Sequence, residues 1–209
     1  MSDKKYTSVY LNGFRATGKT TIGKAVALKL GWDFIDLDKE IQQFFKVTIN
    51  ELTKGGSDWS KFRAMEQELL KRIINKKNIV VAMGGGTTVN NIQANKNETF
   101  GEQNWKILQS AAGALVILLT ADEKIIAGRM RAHEMRAPQV SRPKLSPAAT
   151  AAHPAAHPAA HANHVEEIIQ DSLKNLRIRK DLYLKQTENT IDTSKTTKQK
   201  AVAKILALI

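Results

Sequence analysis

The feature that most constrains how this 209-residue chain can fold is the stretch NGFRATGKTTIG at residues 12–23. Its core, Gly13-x4-Gly18-Lys19-Thr20, follows a short β-rich run (7–13) and opens a segment (18–31) whose apolar residues recur at helical spacing. In such a strand–loop–helix unit, backbone N–H groups and the positive end of the helix dipole surround a phosphate group. The pattern predicts a nucleotide-binding loop in which Lys19 contacts the β- and γ-phosphates and the Thr20 hydroxyl ligates Mg²⁺. The alternative is a glycine-rich turn with no ligand.

The rest of the chain alternates apolar runs with helical patterns. Further strands are predicted at 33–38, 78–83, 114–120 and 190–193, and helices at 39–45, 59–75, 122–132, 164–186 and 196–208. Continuous apolar runs such as NIVVAM and ALVILLT are typical of strands buried on both faces of a parallel sheet. We therefore expect one domain over 1–209 with an α/β fold: three α/β/α layers around a central parallel sheet of about five strands.

One segment breaks this alternation. All five prolines fall between residues 138 and 158, and the stretch AAHPAAHPAAHA at 151–162 is a near-perfect four-residue repeat. Proline disfavours a regular helix, so residues 134–163 are predicted to form a mobile lid with an Ala/His/Pro-rich low-complexity insert. The repeat also spaces four histidines as a metal site would, but no carboxylate or cysteine accompanies them, which favours the insert. These histidines are His153, His157, His161 and His164.

The composition limits the partners. The net charge of +12 allows nucleic-acid binding, but the lysines are scattered, so a lysine-rich enzyme surface with anionic small-molecule substrates is favoured and no nucleic acid is expected. The chain has no cysteine, which fits a reducing cytoplasm, and no apolar run long enough to span a membrane. We expect a cytoplasmic monomer without a membrane partner.

Five further patterns lie where a small phosphotransferase needs them. Asp36 and Asp38 are expected at the end of the second strand, on one side of an extended chain, although an acidic pair there can also be a helix N-cap. Arg63 lies early in a predicted helix and can fork onto a carboxylate, although it can also be a surface residue. The glycines at 84–86 let backbone approach a ligand at the carboxyl edge of the sheet, or form a tight turn only. SRPKL (141–145) falls in the lid and RKDLY (179–183) in a late helix.

Together these motifs resemble the shikimate kinase family over about residues 7–193. The six motifs occur in the family's order, and they are Gly13–Thr20, Asp36-x-Asp38, Phe62-Arg63-x-x-Glu66, Gly84–Gly86, Arg142-Pro143 and Arg179-x3-Tyr183. The resemblance implies ATP-dependent phosphorylation of the 3-hydroxyl of shikimate, with ATP and shikimate as substrates and Mg²⁺ as the cofactor.

The resemblance also implies residue roles. Asp36 would lie in the outer sphere of Mg²⁺, and Asp38 would bind the ring hydroxyls, including the attacking one. Arg63 and Arg179, with backbone at Gly85 and Gly86, would hold the substrate carboxylate. Lys19, Asp38 and Arg142 would be catalytic. The ATP-binding residues would be Gly13, Ala16, Thr17, Gly18, Lys19, Thr20, Thr21, Arg129 and Arg142, with Arg129 packing on adenine and Arg142 closing onto the transferring phosphate with the lid.

The sequence departs from the family at a few positions. Ala16 stands where the family usually has glycine, a change that is tolerable where this backbone position is not left-handed. Trp59 stands where a glutamate is common, and the lid insert is the largest difference. Three other interpretations stay open: a gluconate-type small-molecule kinase, a regulator that binds nucleotide without turnover, and a nucleic-acid-binding protein with the same loop.

Overall fold

The computed structural model describes residues 5–136 and 158–209, with side chains over 5–134 and 162–209. Its five strands are β1 (Ser8–Asn12), β2 (Asp33–Asp36), β3 (Ile79–Ala82), β4 (Ala114–Thr120) and β5 (Thr190–Asp192). They form one sheet in the order β2-β3-β1-β4-β5 with every pair parallel, so β1 is central and β2 and β5 are edges. The predicted parallel sheet of five strands is confirmed.

Helices cover both faces of this sheet. They are α1 (Lys19–Leu30), α2 (Leu37–Phe45), α3 (Ile49–Leu52), α4 (Ser60–Ile73), α5 (Phe100–Ser110), α6 (Glu123–Arg136), α7 (Pro158–Leu184) and α8 (Lys198–Leu206), with a short 3-10 turn at Lys54–Gly56. Side chains alternate across β1, so Val9 and Leu11 pack with α1 and α8, whereas Tyr10 packs with α2, α4 and α5. The predicted three-layer α/β/α architecture is confirmed.

A third apolar cluster lies at the carboxyl edge of the sheet. Phe14 and Leu118 pack there against Ile126 of α6 and Ile169 of α7. This cluster anchors the paired helices α6 and α7 beside the loop that follows β1, so the segments flanking the predicted lid are fixed to the phosphate-binding loop.

Three sequence expectations need correction. The second strand ends at Asp36, and Asp38 lies in the first turn of α2 rather than in an extended chain, because Asp36 occupies the N-cap position with extended backbone. Helix α5 was not predicted, although Thr99 and Glu102 form a capping box at its start. The repeat at 151–162 is not uniformly non-helical, since α7 begins at Pro158, a position where proline needs no amide partner. Residues 137–157 lie outside the described part of the chain.

Candidate active site

The loop between β1 and α1 has the backbone that a phosphate cradle requires. Gly13 has a φ of 130°, and a Cβ atom there would lie 2.2 Å from the carbonyl oxygen of Leu119, so only glycine fits. Gly18, with a φ of 96°, is the N-cap of α1. The buried Lys19 donates from Nζ to the carbonyls of Gly13 and Phe14 at 2.7 Å each. Its ammonium group is therefore held inside the curve of the loop, where a bound phosphate would compete with these two carbonyls for it.

Ala16 occupies a left-handed position in this loop, with a φ of 61°. The condition under which alanine would be tolerated without strain is therefore not met, because an L-residue in this region costs about 1–2 kcal/mol. The carbonyl of Ala16 accepts a hydrogen bond from Arg129 Nη1 at 3.1 Å, and the same guanidinium donates to the side chain and carbonyl of Thr193. Arg129 thus links α6, the loop and the end of β5, and its packing on adenine stays a prediction.

The structure brings together the two residues predicted to serve Mg²⁺. Thr20 Oγ1 donates to Asp36 Oδ2 at 2.9 Å, and Asp36 makes no side-chain capping bond to α2. A hydroxyl beside a carboxylate at a phosphate loop fits Mg²⁺, which takes few protein oxygens and completes its shell with phosphate and water. In the described part of the chain, no group of three or more His, Asp or Glu side chains is arranged so that it could hold a metal ion. His153 and His157 lie outside it, so the histidine site stays untested.

The glycine turn after β3 lies beside two carboxylates. A Cβ atom at Gly84 would be 2.5 Å from Glu66 Oε1 and 2.8 Å from Asp38 Oδ1. The carboxylate of Asp38 therefore reaches the turn even though the residue is helical. Glu66, which is fully buried, also accepts a short hydrogen bond from Thr87 Oγ1. The absence of a side chain at Gly84 is what allows both carboxylates to approach the turn.

A buried arginine contacts the same turn. Arg63 of α4 donates from Nη1 to Glu66 Oε2 at 2.6 Å, and the two side chains are 4% and 0% exposed. A Cβ atom at Gly86 would lie 2.4 Å from Arg63 Nη2, so the guanidinium rests against the bare backbone of the turn. The Arg63 Nε donor is buried and has no partner among the described residues. Such an unused donor on a buried cation is suited to an anionic ligand.

A second buried cation approaches from α7. Arg179 Nη1 donates to the carbonyl of Gly85 at 3.3 Å, and the Tyr183 hydroxyl donates to the same oxygen. Burial lowers the pKa of Arg179, and the nearby charge of Arg63 also lowers it. Burial raises the pKa of Tyr183, which keeps the hydroxyl protonated as a donor. Two guanidinium groups, Arg63 and Arg179, therefore lie at the turn that the carboxylates of Glu66 and Asp38 also approach.

The structure therefore brings most of the predicted residues to one edge of the sheet. Lys19, Thr20 and Asp36 lie at the phosphate loop, and a Cβ at Gly85 would lie 3.1 Å from the backbone nitrogen of Arg15 in that loop, so the glycine turn is adjacent. Arg142 lies outside the described residues. No role was predicted for Glu66, although the Phe-Arg-x-x-Glu motif contains it, or for Thr193, for which the sequence has no local signal.

A phosphate loop with a neighbouring hydroxyl–carboxylate pair and two buried guanidinium groups, on a five-stranded parallel sheet, is the arrangement of the P-loop kinase fold. The family model described as "Shikimate kinase" matches residues 15–209, nearly the whole chain. The chain belongs to the shikimate kinase family. Within the described residues, no helix is both long and apolar enough to cross a membrane.

Individual relatives agree with this assignment. A shikimate kinase of Thermodesulfovibrio yellowstonii is 36% identical over 125 residues, which cover 59% of this chain and 64% of that protein, just under two thirds. "Shikimate kinase 2" of Erwinia tasmaniensis is 35% identical over 134 residues, covering 61% and 74%. The solved shikimate kinase of Acinetobacter baumannii in complex with shikimate is 25% identical, has a TM-score of 0.70, and aligns over 98% of this chain and 93% of its own.

Proposed function

We propose that this protein transfers the γ-phosphoryl group of ATP to the 3-hydroxyl of shikimate. The observation that carries the proposal is the pair of buried guanidinium groups on the glycine turn, Arg63 at Gly86 and Arg179 at Gly85, next to the phosphate loop. A small acceptor with one carboxylate and several hydroxyls is complementary to two arginines and one aspartate. Family membership and the similarity to a shikimate-bound enzyme support the same acceptor.

Phosphoryl transfer depends on positioning and charge neutralisation more than on covalent chemistry. Arg63 and Arg179 would fix the acceptor carboxylate, which places the opposite hydroxyls toward Asp38. Asp38 would accept a hydrogen bond from the attacking hydroxyl and orient it. Lys19 would neutralise charge on the β- and γ-phosphates, and bound Mg²⁺, held by Thr20 and through Asp36, would supply further neutralisation. Arg142, in the predicted lid, is proposed to add a further positive charge beside the transferring phosphate.

The deciding experiment is ADP release in a coupled assay with purified protein and Mg-ATP. Turnover is expected with shikimate and not without an acceptor, and gluconate serves as the control for the other small-molecule kinase. Lys19→Ala should remove turnover, because it deletes the charge that neutralises the transferring group. Turnover with gluconate but not with shikimate would identify gluconate as the acceptor. Nucleotide binding without turnover would favour a regulator that binds nucleotide and is not a catalyst. The cytoplasmic location, the monomeric state and the absence of a nucleic-acid partner stay predictions.

A further inference from the structure

A buried amide on α5 makes one hydrogen bond and keeps one oxygen that packing does not explain. The buried residues of α5 are Gly101, Asn104 and Leu108, so Asn104 lies on the face of the helix that packs inward, and it is fully buried. Asn104 Nδ2 donates to the carbonyl of Thr87 at 2.9 Å, whereas Oδ1 is buried and has no partner among the described residues. A buried acceptor without a partner is costly, so this side chain calls for a reason beyond folding.

The bond from Asn104 holds the residue that directly follows the glycine turn. The N–H of Thr87 donates to the carbonyl of Gly84 at 3.2 Å and closes the turn. The Thr87 hydroxyl donates to Glu66 Oε1 in a short bond and lies 3.0 Å from the carbonyl oxygen of Gly84. A hydroxyl has one hydrogen, and the carboxylate is the nearer acceptor, so this hydrogen is directed at Glu66. Asn104 therefore fixes the backbone of the residue whose side chain fixes the carboxylate.

Glu66 in turn orients Arg63. Glu66 Oε2 accepts from Arg63 Nη1 at 2.6 Å, and Oε1 accepts from Thr87, so the carboxylate cannot rotate without breaking a hydrogen bond. The Arg63 guanidinium also lies over the ring of Trp59, 5.1 Å from its centroid. These contacts lead from α5 to a cation of the acceptor pocket, and we call them the α5 relay, which consists of Asn104, Thr87, Glu66 and Arg63.

Folding alone favours a different side chain at position 104. A Cβ atom at Gly101 would lie 2.7 Å from the carbonyl oxygen of Asn90, so α5 rests directly on the backbone that follows the turn, and Leu108 joins the apolar cluster around Tyr10. An apolar side chain of similar shape at position 104 would remove the unpaired oxygen. It would also remove the bond that orients the Thr87 carbonyl, because apolar contacts have no direction and a hydrogen bond does.

We infer that Asn104 is a positioning residue for the acceptor pocket. Through Thr87 and Glu66 it holds Arg63 in the orientation that receives the carboxylate of the acceptor. The inference deepens the proposed function and rests on it, because Arg63 is proposed there to hold that carboxylate. The carboxylate contact is made in the ground state and in the transition state alike, so loss of Asn104 should raise KM for shikimate and leave kcat nearly unchanged.

The test is steady-state kinetics of Asn104→Leu and Thr87→Val, with shikimate varied at saturating Mg-ATP. Leucine has nearly the shape of asparagine but no donor, and valine has the shape of threonine without the hydroxyl, so each variant breaks one step of the α5 relay. We expect KM for shikimate to rise about 3- to 10-fold in each variant, the effect of one hydrogen bond, with kcat within about twofold. The double variant should show no more than about the larger single effect, because both changes interrupt the same relay.

Thermal unfolding separates positioning from stability. The Tm of Asn104→Leu should stay within about 4 °C of the unmodified protein, because removal of the unpaired oxygen offsets the lost bond. A residue that served only the fold would lower the Tm and leave KM unchanged. Thr87→Val leaves α5 intact, so it decides the question where Asn104→Leu does not fold.

Gln103→Leu is the matched control. Gln103 lies next to Asn104 on α5 and accepts from Gln67 Nε2 of α4 at 2.9 Å, so the control breaks a side-chain amide bond of the same helix outside the α5 relay. It should leave KM for shikimate unchanged. An unchanged KM in either relay variant that folds, or an equal rise in Gln103→Leu, would overturn the inference. Absence of shikimate-dependent turnover in the unmodified protein is a separate result that refutes the proposed function and, with it, this inference.

Discussion

At the scale of single residues, the phosphate loop contains one position whose backbone does not suit its side chain. Ala16 has a φ of 61°, in the region that glycine enters without steric cost. Its carbonyl is fixed by Arg129, so the conformation is maintained by a contact from α6. The loop therefore stores strain next to the site where phosphate would bind.

Ala16→Gly should stabilise the protein. Relief of the left-handed strain is worth about 1–2 kcal/mol, and the greater freedom of glycine in the unfolded chain offsets part of it, leaving a gain of about 0.5–1 kcal/mol. Urea unfolding midpoints measure the change. The matched control is Ala25→Gly inside α1, where the same substitution should cost about 1 kcal/mol. Equal losses at both positions would show that Ala16 is not strained.

Arg179→Ala should chiefly raise KM for shikimate. A charge-assisted hydrogen bond contributes about 1.5–3 kcal/mol, which corresponds to a rise of roughly 10- to 150-fold. Arg177, two residues earlier on α7, is exposed and paired with Glu123 at 2.7 Å, so Arg177→Ala is the control and should leave KM unchanged. Steady-state kinetics with each substrate varied in turn separates the effects. A rise confined to KM for ATP would refute the role of Arg179 in holding the carboxylate.

At the scale of elements, two glycines that lack close neighbours should respond in opposite ways to replacement by alanine. A Cβ atom added at Gly31 or at Gly128 would meet no atom within 4 Å. Gly31 ends α1 with a φ of 66°, and its N–H caps the carbonyl of Ala27, whereas Gly128 lies inside α6. The two positions therefore differ in backbone conformation and not in available space.

Gly128→Ala should raise the free energy of unfolding by about 1 kcal/mol, because alanine is the better helix former. Gly31→Ala should lower it by about 0.5–1 kcal/mol, because the left-handed cost exceeds the entropy gained from restricting the unfolded chain. Denaturant midpoints are measured for both variants. Because each substitution adds one methyl group, the difference between the two midpoints reports the difference in backbone conformation. A stabilising effect at both positions would mean that the end of α1 relaxes out of the left-handed region.

The elements also show what sequence could and could not predict. The strand at 114–120 was predicted at its observed bounds because a continuous apolar run has few other solutions in a parallel sheet. Asp38 was misplaced because the strand ends and the helix begins within the same DLD stretch, and the N-cap position of Asp36 decides the boundary. The contact between Asn12 and Gln186 spans 174 positions, so no local pattern could indicate it.

At the scale of the whole molecule, the central strand connects the two faces of the sheet. Val9 and Leu11 belong to the apolar cluster under α1 and α8, and Tyr10 belongs to the cluster under α4. Tyr10 is fully buried, and its hydroxyl donates to the carbonyls of Ile73 and Ile74 at 3.4 and 3.5 Å. These are long hydrogen bonds, so the ring contributes mainly by packing.

Burial raises the pKa of Tyr10 to about 12, which makes the stability of the whole fold sensitive to alkali. The folded state favours the protonated phenol, so the contribution is intact below the ordinary tyrosine pKa and is lost as pH rises toward the folded value. Between about pH 10 and 12 the unfolded chain releases the proton first, and the resulting loss in the free energy of unfolding is on the order of 2–3 kcal/mol.

Tyr10→Phe removes this proton and, since its hydrogen bonds are long, should change stability at pH 7 by less than about 1 kcal/mol. The expected result is a free energy of unfolding that falls less steeply between pH 9 and 11.5 in the variant than in the unmodified protein. Urea unfolding at each pH provides the comparison, with the two proteins at pH 7 as the reference. Parallel curves over that range would mean that the phenol of Tyr10 reaches water before the fold opens.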